Sequence, residues 1–322
     1  SDALRYEVGE ELVSLIRQED RYEATLDFAV TSLPSFTQLG MAALLPHQSL
    51  TIAEDGNTVL VDGQSSAGTE NRRKIVEQAV GGAGTAMKAD ALLNMSREDS
   101  RALFRDNKVV YIYHNRIDAT GDKRETEERV FDAVADTLDE LIKLIKKLAA
   151  ANVSNMLITA DHGFIYQHRE LDESDFAGQK ASGAQILNHN RRFVLGHGLT
   201  ADTSFKTFSS AQVGLHGNME LLLPKSINRL RVKGAGSRYV HGGATLQEIV
   251  VPVIQINKKR QSDVTMVAVD ILRGASSTIT TNQLLVRFYQ TEPVTDKVQP
   301  RTLRAGMFTQ SGQLISNRPD LV

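Results

Sequence analysis

The sequence predicts an α/β fold built on a mainly parallel sheet flanked by helices, with an inserted cap region and the start of a C-terminal all-β segment. Three observations lead there. Residues 108–113 and 156–160 are short apolar runs bounded by turn residues, as buried strands are. Between them, residues 125–148 carry Val130, Phe131, Val134, Leu138, Leu141, Ile142, Ile145 and Leu148 at helical spacing. Strand, helix, strand is a βαβ unit, which calls for a parallel sheet. The third observation is a change of texture beyond Asn257, where β-branched runs alternate with Ser/Thr-rich turns.

The other elements follow in order. Residues 8–18 place Val8, Leu12, Val13, Leu15 and Ile16 on one helical face, so Asp2 stands just ahead of a helix. Residues 21–30 alternate, with Tyr22, Ala24, Leu26 and Phe28 on one side, and read as a strand. Residues 31–38 form a turn dense in hydroxyls, and 39–45 a short helix closed by Pro46. A hairpin is expected over 50–63 around Asp55-Gly56-Asn57. Helices are expected over 72–80 and 96–104, joined through Gly81-Gly82-Ala83-Gly84. No strand of the main sheet is expected from 46 to 107, so about 47–107 reads as the inserted cap. Past His168 the chain is polar and Gly-rich to about Asn218. Short apolar runs follow at 221–224 and 229–232, and then "RYVHGGATLQEIVVPVI". Residues 264–272 and 284–289 read as strands separated by Ser/Thr-rich turns.

The 322 residues exceed what one hydrophobic core usually serves. A net charge of −2 argues against a protein that holds nucleic acid through a basic surface. The short clusters Arg72-Arg73-Lys74, Arg191-Arg192 and Lys258-Lys259-Arg260 read as solvated loop charge. There is no cysteine, so disulfides and thiolate metal sites are excluded, and any metal falls to His, Asp, Glu or a hydroxyl. No run approaches the ~18 apolar residues of a membrane span, and no signal peptide is visible. A cytoplasmic protein is expected. The opening residues 1–5 lack the apolar strand that such a turn should follow, and the end falls in a polar stretch, so a fragment of something longer is expected.

The candidate chemistry lies at strand ends, the edge where open α/β sheets hold ligands. "NMLITADHGFIYQH" runs from an apolar strand straight into Asp161, His162 and Gly163. Asp2, the Ser35/Thr37 turn and the loop from Asp118 to Asp122 also follow observed or implied strands, and His241-Gly242-Gly243 adds an imidazole between small residues. Carboxylates, imidazoles and a hydroxyl without thiols suit a hydrolytic two-metal centre, whose ions sit ~3.5–4 Å apart and clamp the attacking and leaving oxygens. The plainer readings stand beside this one. Ser35 reads as a turn hydroxyl bonded to backbone. Asp118 and Asp122 could be a helix N-cap and a first-turn dipole partner. Glu125, Glu248, His47, His168, His189, His197 and His216 read as surface residues. Gly163 and Gly242 read as backbone requirements. Arg5, Asn115 and Arg116 are each open between phosphate contact and plain packing.

The motifs "PSFT" at 34–37, "DATGD" at 118–122, "TADHG" at 159–163 and "HGG" at 241–243 occur in an order that resembles the alkaline phosphatase superfamily. "DALRYE" and "LPSFTQLGMAALLP" further resemble the PglZ family, the phosphatase-like component of BREX phage-defence systems, over residues 2 to about 254. The resemblance implies an alkaline-phosphatase-like domain over 1–257, truncated at its N-terminal strand, and part of a β-rich domain over 258–322. It implies Thr37 as nucleophile, and one metal held by Asp2, Thr37, Asp161 and His162. A second would be held by Asp118, Asp122 and His241. The superfamily usually places His where Asp122 stands. Carboxylate for imidazole hardens that site and moves it from zinc towards manganese or magnesium, and His114 is an alternative ligand. The implied protein is a metal-dependent phosphoric ester hydrolase with two divalent ions, zinc first. It would be a phosphodiesterase or nuclease-like component with a nucleotide or nucleic-acid substrate and other BREX proteins as partners. The alternative is a non-catalytic scaffold that retains the fold.

Overall fold

A computed structural model describes residues 1–177, 181–272 and 279–321. The chain divides into one compact unit of residues 1–13 and 24–257 and a second of residues 14–23 and 258–322.

The chain opens with α1 (Tyr6–Gln18), whose buried residues Val8, Leu12, Val13 and Ile16 repeat at helical spacing, and β1 (Tyr22–Val30). A tight turn then delivers α2 (Thr37–Ala43). The expected hairpin forms as β2 (Leu50–Ile52) against β3 (Val59–Val61), which also pairs with β4 (Gln64–Ser65). Next come α3 (Gly68–Ala79), β5 (Gly84–Lys88), α4 (Ala89–Asn94), α5 (Arg97–Asp106) and β6 (Val109–Tyr113). Helix α6 (Arg116–Gly121) leads to α7 (Val130–Ala150) and β7 (Asn155–Thr159). The remainder contains β8 (Ile165–Tyr166), β9 (Ser182–His189), β10 (Val194–Thr200), β11 (Phe205–Ser209), β12 (Glu220–Pro224), β13 (Tyr239–Val240), α8 (Leu246–Ile249) and β14 (Val250–Lys258).

The mixed α/β class holds, and β6, α7 and β7 form in the order expected. β7 lies in a sheet ordered β1-β14-β7, where it runs antiparallel to β14, with Ile158 opposite Ile254. β6 pairs in parallel with β5, with Ala86 opposite Tyr111. So 46–107 holds a parallel partner of β6, in a two-stranded sheet separate in its hydrogen bonding from β1-β14-β7. Its sequence, GTAMK, has too few apolar residues to announce itself, because one small residue, Ala86, fills its buried middle. The polar stretch after His168 likewise holds strands. β9, β10, β12 and β11 form an antiparallel sheet, and β9 lies mostly exposed, so it carries no apolar pattern.

The hairpin β2–β3 and helix α3 do not stand apart from the rest. Leu50, Ile52, Val59, Val61, Ile75 and Val76 share one core with Phe36, Leu39 and Leu45 of the α2 region and with Phe193, Leu195, Leu221 and Leu223 of the β10–β12 region. This core fixes the turn ahead of α2. Four side chains expected at the surface are buried: Arg192 and Glu248 at 0% exposure, and Arg191 and Arg72 at 7%.

In the second unit the run 264–272 is two strands, Thr265–Met266 and Val269–Leu272. The latter pairs antiparallel with Arg287–Gln290, and the former runs parallel to Val298–Gln299. The Ser/Thr-rich turn expected between these strands falls largely on residues 273–278, outside the described residues. No described helix is long and apolar enough to cross a membrane.

Candidate metal centre

Backbone pairing assembles the site. β8 and β13 pair antiparallel, Ile165 with Val240 and Tyr166 with Tyr239. The loop that precedes β8 carries Asp161 and His162, and the residue after β13 is His241. Their two imidazoles stack, with ring centres 4.0 Å apart and planes 4° from parallel. The turn before α2 is tied to the same place. Ser35 bridges Gly242 through its backbone, and its hydroxyl donates to the Gly243 carbonyl at 2.6 Å. That commits Ser35, which is fully buried, to structure. Thr37, two residues on, brings its Oγ1 to 3.0 Å from His162 Nε2.

Small residues permit these approaches. A Cβ on Gly40 of α2 would lie 2.3 Å from the Asp161 carbonyl oxygen, and one on Gly163 would lie 2.1 Å from that of Gln247. Gly242 adopts φ of 116°, which only glycine takes without strain. Next to Asp2, the fully buried Ala3 sits at φ 58°, an uncommon conformation for a residue with a Cβ. Its backbone N–H donates to Asp161 Oδ1 at 3.2 Å, which joins the Asp2 turn to the Asp161 loop.

Two groups that could hold a cation result. Asp2, Asp161 and His162 form one, and Asp118, His162 and His241 the other, each with its donor atoms within 4.8 Å of one another. His162 Nε2 lies 3.5 Å from Asp2 Oδ1 and 3.4 Å from Asp161 Oδ2. His241 Nε2 lies 3.5 Å from Asp118 Oδ1. The Nδ1 of each ring faces a carbonyl oxygen, Gly163 at 2.8 Å and Ser35 at 3.3 Å. A carbonyl only accepts, so Nδ1 carries a proton and Nε2 is the ring atom that faces the carboxylates. Asp2 Oδ1 and Asp161 Oδ2 are buried without a hydrogen-bond partner. Two buried carboxylate oxygens facing each other without a donor are costly unless a proton or a cation sits between them. Burial, with Asp161 and Asp118 beside it, raises the Asp2 carboxyl well above the usual carboxylate range. Burial, with the stacked His162, pushes the His241 imidazole down to about 4, so it is neutral at pH 7. Imidazoles and crowded carboxylates are the donor set of a divalent cation, and the residues fit one.

The structure brings together Asp2, Thr37, Asp118, Asp161, His162 and His241. Asp122 lies outside both groups. Its carboxylate accepts from Arg191, whose other nitrogen donates to the carbonyls of Gly236 and Tyr239. His114 is also apart, bonded through Nε2 to Glu140 at 2.7 Å. Asp118 is no N-cap; Asn115 caps α6, and Asp118 occupies the first turn. Arg116 pairs with Glu140 and Asp136 of α7, and Arg5 stacks on the Phe164 ring.

Sequence reasoning missed two residues. Tyr239 donates its hydroxyl to Asp118 Oδ1 at 3.0 Å and is fully buried. Its ring reaches α6 because residue 121 is glycine, where a Cβ would lie 2.5 Å from the ring. Glu248 takes Arg192 in a two-pronged pair at 2.9 and 2.8 Å and accepts from the Gly243 and Thr245 N–H groups. It thereby holds the glycine turn beside His241. The motif "HGGATLQE" contained a sign of this, since Thr three residues before Glu is a capping box.

The family profile described as the BREX system PglZ alkaline phosphatase-like domain matches residues 1–256. The chain is 37% identical over 326 aligned residues to the alkaline phosphatase-like protein BrxZ of Escherichia coli, and 38% over 323 to the alkaline phosphatase-like protein PglZ of Bacillus cereus. These alignments cover 99% and 98% of the chain but 37% of each relative, so the chain spans little more than a third of their length. Murine ectonucleotide pyrophosphatase/phosphodiesterase 5, solved as an inactive variant with AMP, superimposes with a TM-score of 0.49 at 13% identity, over 80% of this chain and 86% of that one.

Proposed function

From the premise that this chain belongs to the PglZ family of alkaline phosphatase-like BREX domains, we propose that it is a metal-dependent hydrolase of phosphate esters, acting on phosphodiesters through Thr37. The observation that carries this reading is the Thr37 hydroxyl, 3.0 Å from His162 Nε2 and so beside the buried, unpartnered oxygens of Asp2 and Asp161. Asp2, Asp161 and His162 would hold one divalent ion with Thr37 beside it, and Asp118 and His241 the other, zinc first and manganese or magnesium next. When bound, such ions polarise a phosphoryl oxygen and favour the alkoxide of a nearby hydroxyl.

The protein's own part is then positional. Ser35 and Gly242 hold the turn, α2 packs on the Asp161 backbone, and Thr37 Oγ1 is set to bond phosphorus as the ester's alcohol leaves. Water then cleaves the resulting threonyl phosphodiester, releases the phosphate monoester that keeps the substrate's other alcohol, and restores the hydroxyl. The substrate class we assign is a nucleotide or nucleic acid, within a BREX-type defence system and among its other proteins. A second reading, a non-catalytic scaffold, is favoured by one observation. Asp122 is held by Arg191 instead of joining a ligand group, which leaves the second ion fewer ligands.

The two readings separate in one experiment on the full-length protein. Metal content is measured by mass spectrometry, and a chromogenic phosphodiester and monoester are assayed with zinc, manganese and magnesium. Thr37→Ala is expected to keep its metal and lose about 100-fold or more in rate, the scale of one lost catalytic group. Asp161→Ala should lose metal and activity together. A wild-type protein that binds metal but hydrolyses neither ester would support the scaffold. If Ser35→Ala were inactive and Thr37→Ala fully active, the nucleophile would be reassigned.

A further inference from the structure

Arg72 of α3 is a buried cation without an anion. Among the described residues no carboxylate pairs with it. Its Nε donates to the Ser66 carbonyl at 3.0 Å and its Nη2 to Gln38 Oε1 at 3.4 Å, and its guanidinium lies over the Tyr113 ring, 5.0 Å from the centroid. The other buried arginines are better supplied. Arg191 holds Asp122, Arg192 holds Glu248, and Arg229 donates to three backbone carbonyls. A buried charge is costly unless it is paired, so the Arg72 guanidinium is an open place for an anion. Its neighbours add donors to it. The Tyr113 hydroxyl is buried without a hydrogen-bond partner. Gln38 turns its Oε1 to Arg72, which leaves the two N–H groups of its Nε2 without a partner among the described residues.

This donor group stands next to the Thr37 turn. Gln38 follows Thr37 in α2, and α2 lies along β6, where Tyr111 Oη donates to the Leu44 carbonyl at 3.0 Å. Tyr113 ends β6, and the next residue, His114, accepts the Asp2 N–H at 2.8 Å. Arg72 thus touches one residue beside Thr37 and another two steps from Asp2, although it comes from a separate helix. We propose that Arg72, Gln38 and Tyr113 form an anion site for the non-bridging phosphoryl oxygens of the ester held at Thr37, with the guanidinium supplying the charge. The inference rests on the hydrolase reading and adds to it the groups that grip the phosphate. A phosphoryl group suits both surroundings of Thr37. Its oxygens accept from guanidinium, amide and hydroxyl donors, and the same oxygens turn towards whatever cation the carboxylates hold. The planar fork of an arginine is the side chain that bonds two such oxygens at once.

The test uses the full-length protein with manganese present. Binding of radiolabelled inorganic phosphate is read by equilibrium ultrafiltration, beside metal content and Tm. Arg72→Met keeps an apolar chain over the Tyr113 ring and removes the charge. It is expected to bind phosphate at least ~10-fold more weakly with its metal content unchanged. Arg72→Lys keeps the charge without the fork and should fall between the two. Gln38→Glu supplies from within the chain the carboxylate that Arg72 lacks. It should also bind phosphate at least ~10-fold more weakly, and yet hold or raise Tm, a pair of effects that a damaged fold does not produce. Phosphate affinity unmoved by Arg72→Met and Gln38→Glu would overturn the proposal, as would a wild type that retains no phosphate. So would a Gln38→Glu protein whose Tm and metal content fall along with its phosphate affinity. The hydrolase reading fails separately. A wild type that binds phosphate through Arg72 and hydrolyses no ester leaves the anion site standing, whereas Thr37-dependent hydrolysis with a KM indifferent to Arg72→Met sinks the anion site alone.

Discussion

Tyr239 shows how one buried hydroxyl can govern a carboxylate. Its O–H fixes Asp118 Oδ1, the oxygen that faces His241. Partners of this kind orient a ligand, and their loss typically costs 10–100-fold in metal affinity. Tyr239→Phe keeps the ring against Gly121 and removes the bond. Calorimetric titration should show the second divalent ion bound at least ~10-fold more weakly, with the first nearly unchanged. Unaltered binding of both would show that Asp118 needs no such partner. A second residue reports on pH. Hydrogen bonds from Arg116, then from His114, hold the Glu140 carboxyl down at about 2, below its usual 4.5. The folded state therefore favours the carboxylate, and its stabilisation is complete above about pH 4.5 and lost as pH falls towards 2. Glu140→Gln should lower Tm at pH 7, and the gap from wild type should close on acidification. A gap of constant size from pH 7 to pH 3 would contradict the ion-pair account.

At the scale of elements, the Arg192–Glu248 pair ties β10 to the capping box of α8 and, through the Gly243 N–H, to the turn beside His241. Both side chains are fully buried, so removing one leaves an uncompensated charge, at a cost of about 3–5 kcal/mol. Glu248→Ala is expected to unfold at a clearly lower urea midpoint, and Arg192→Met with Glu248→Leu to recover part of the loss. A double variant no better than the single one would mean that the glycine turn depends on the carboxylate itself. The βαβ unit was legible at this scale because α7 buries a regular stripe, Val130, Val134, Leu138, Leu141, Ile145 and Leu148. Phe131, expected in that stripe, is instead exposed and packs edge-on against Tyr166. β5 and β9 were illegible because a small buried residue in one and solvent along the other erase the apolar alternation on which strand reading depends.

At the scale of the molecule, the second unit is drawn from two separated parts of the sequence. Residues 14–23 belong with 258–322: Lys297 donates to the Glu19 and Tyr22 carbonyls, Arg21 N to Asp263, and Lys259 N to Arg21. A chain ended at Asn257 would strip these bonds from the turn at Asp20-Arg21. Limited proteolysis should then cut near 18–21 while the full chain resists there, and equal resistance would show that the turn is self-supporting.

What the sequence determined by itself was which carboxylates and imidazoles gather in one place. The carboxylates and imidazoles of Asp2, Asp118, Asp161, His162 and His241 stand at strand and turn boundaries, and the motif order made them readable as one group. A chain without cysteine also left only oxygen and nitrogen donors for a cation. What only the tertiary structure decided was which near-equivalent residue faces the site. Ser35 and Thr37 differ by two positions in one turn, and the Gly243 carbonyl takes the first while His162 meets the second. Asp122 follows Asp118 by one helical turn, yet Arg191, distant in sequence, holds it elsewhere. Arg192 and Glu248 look like surface charges until each is seen to neutralise the other in the interior. The reason is common to all of these. Local pattern reports periodicity and turn chemistry, whereas the partner that settles a polar group's fate comes from another part of the chain and is known only once the backbone has brought the two together.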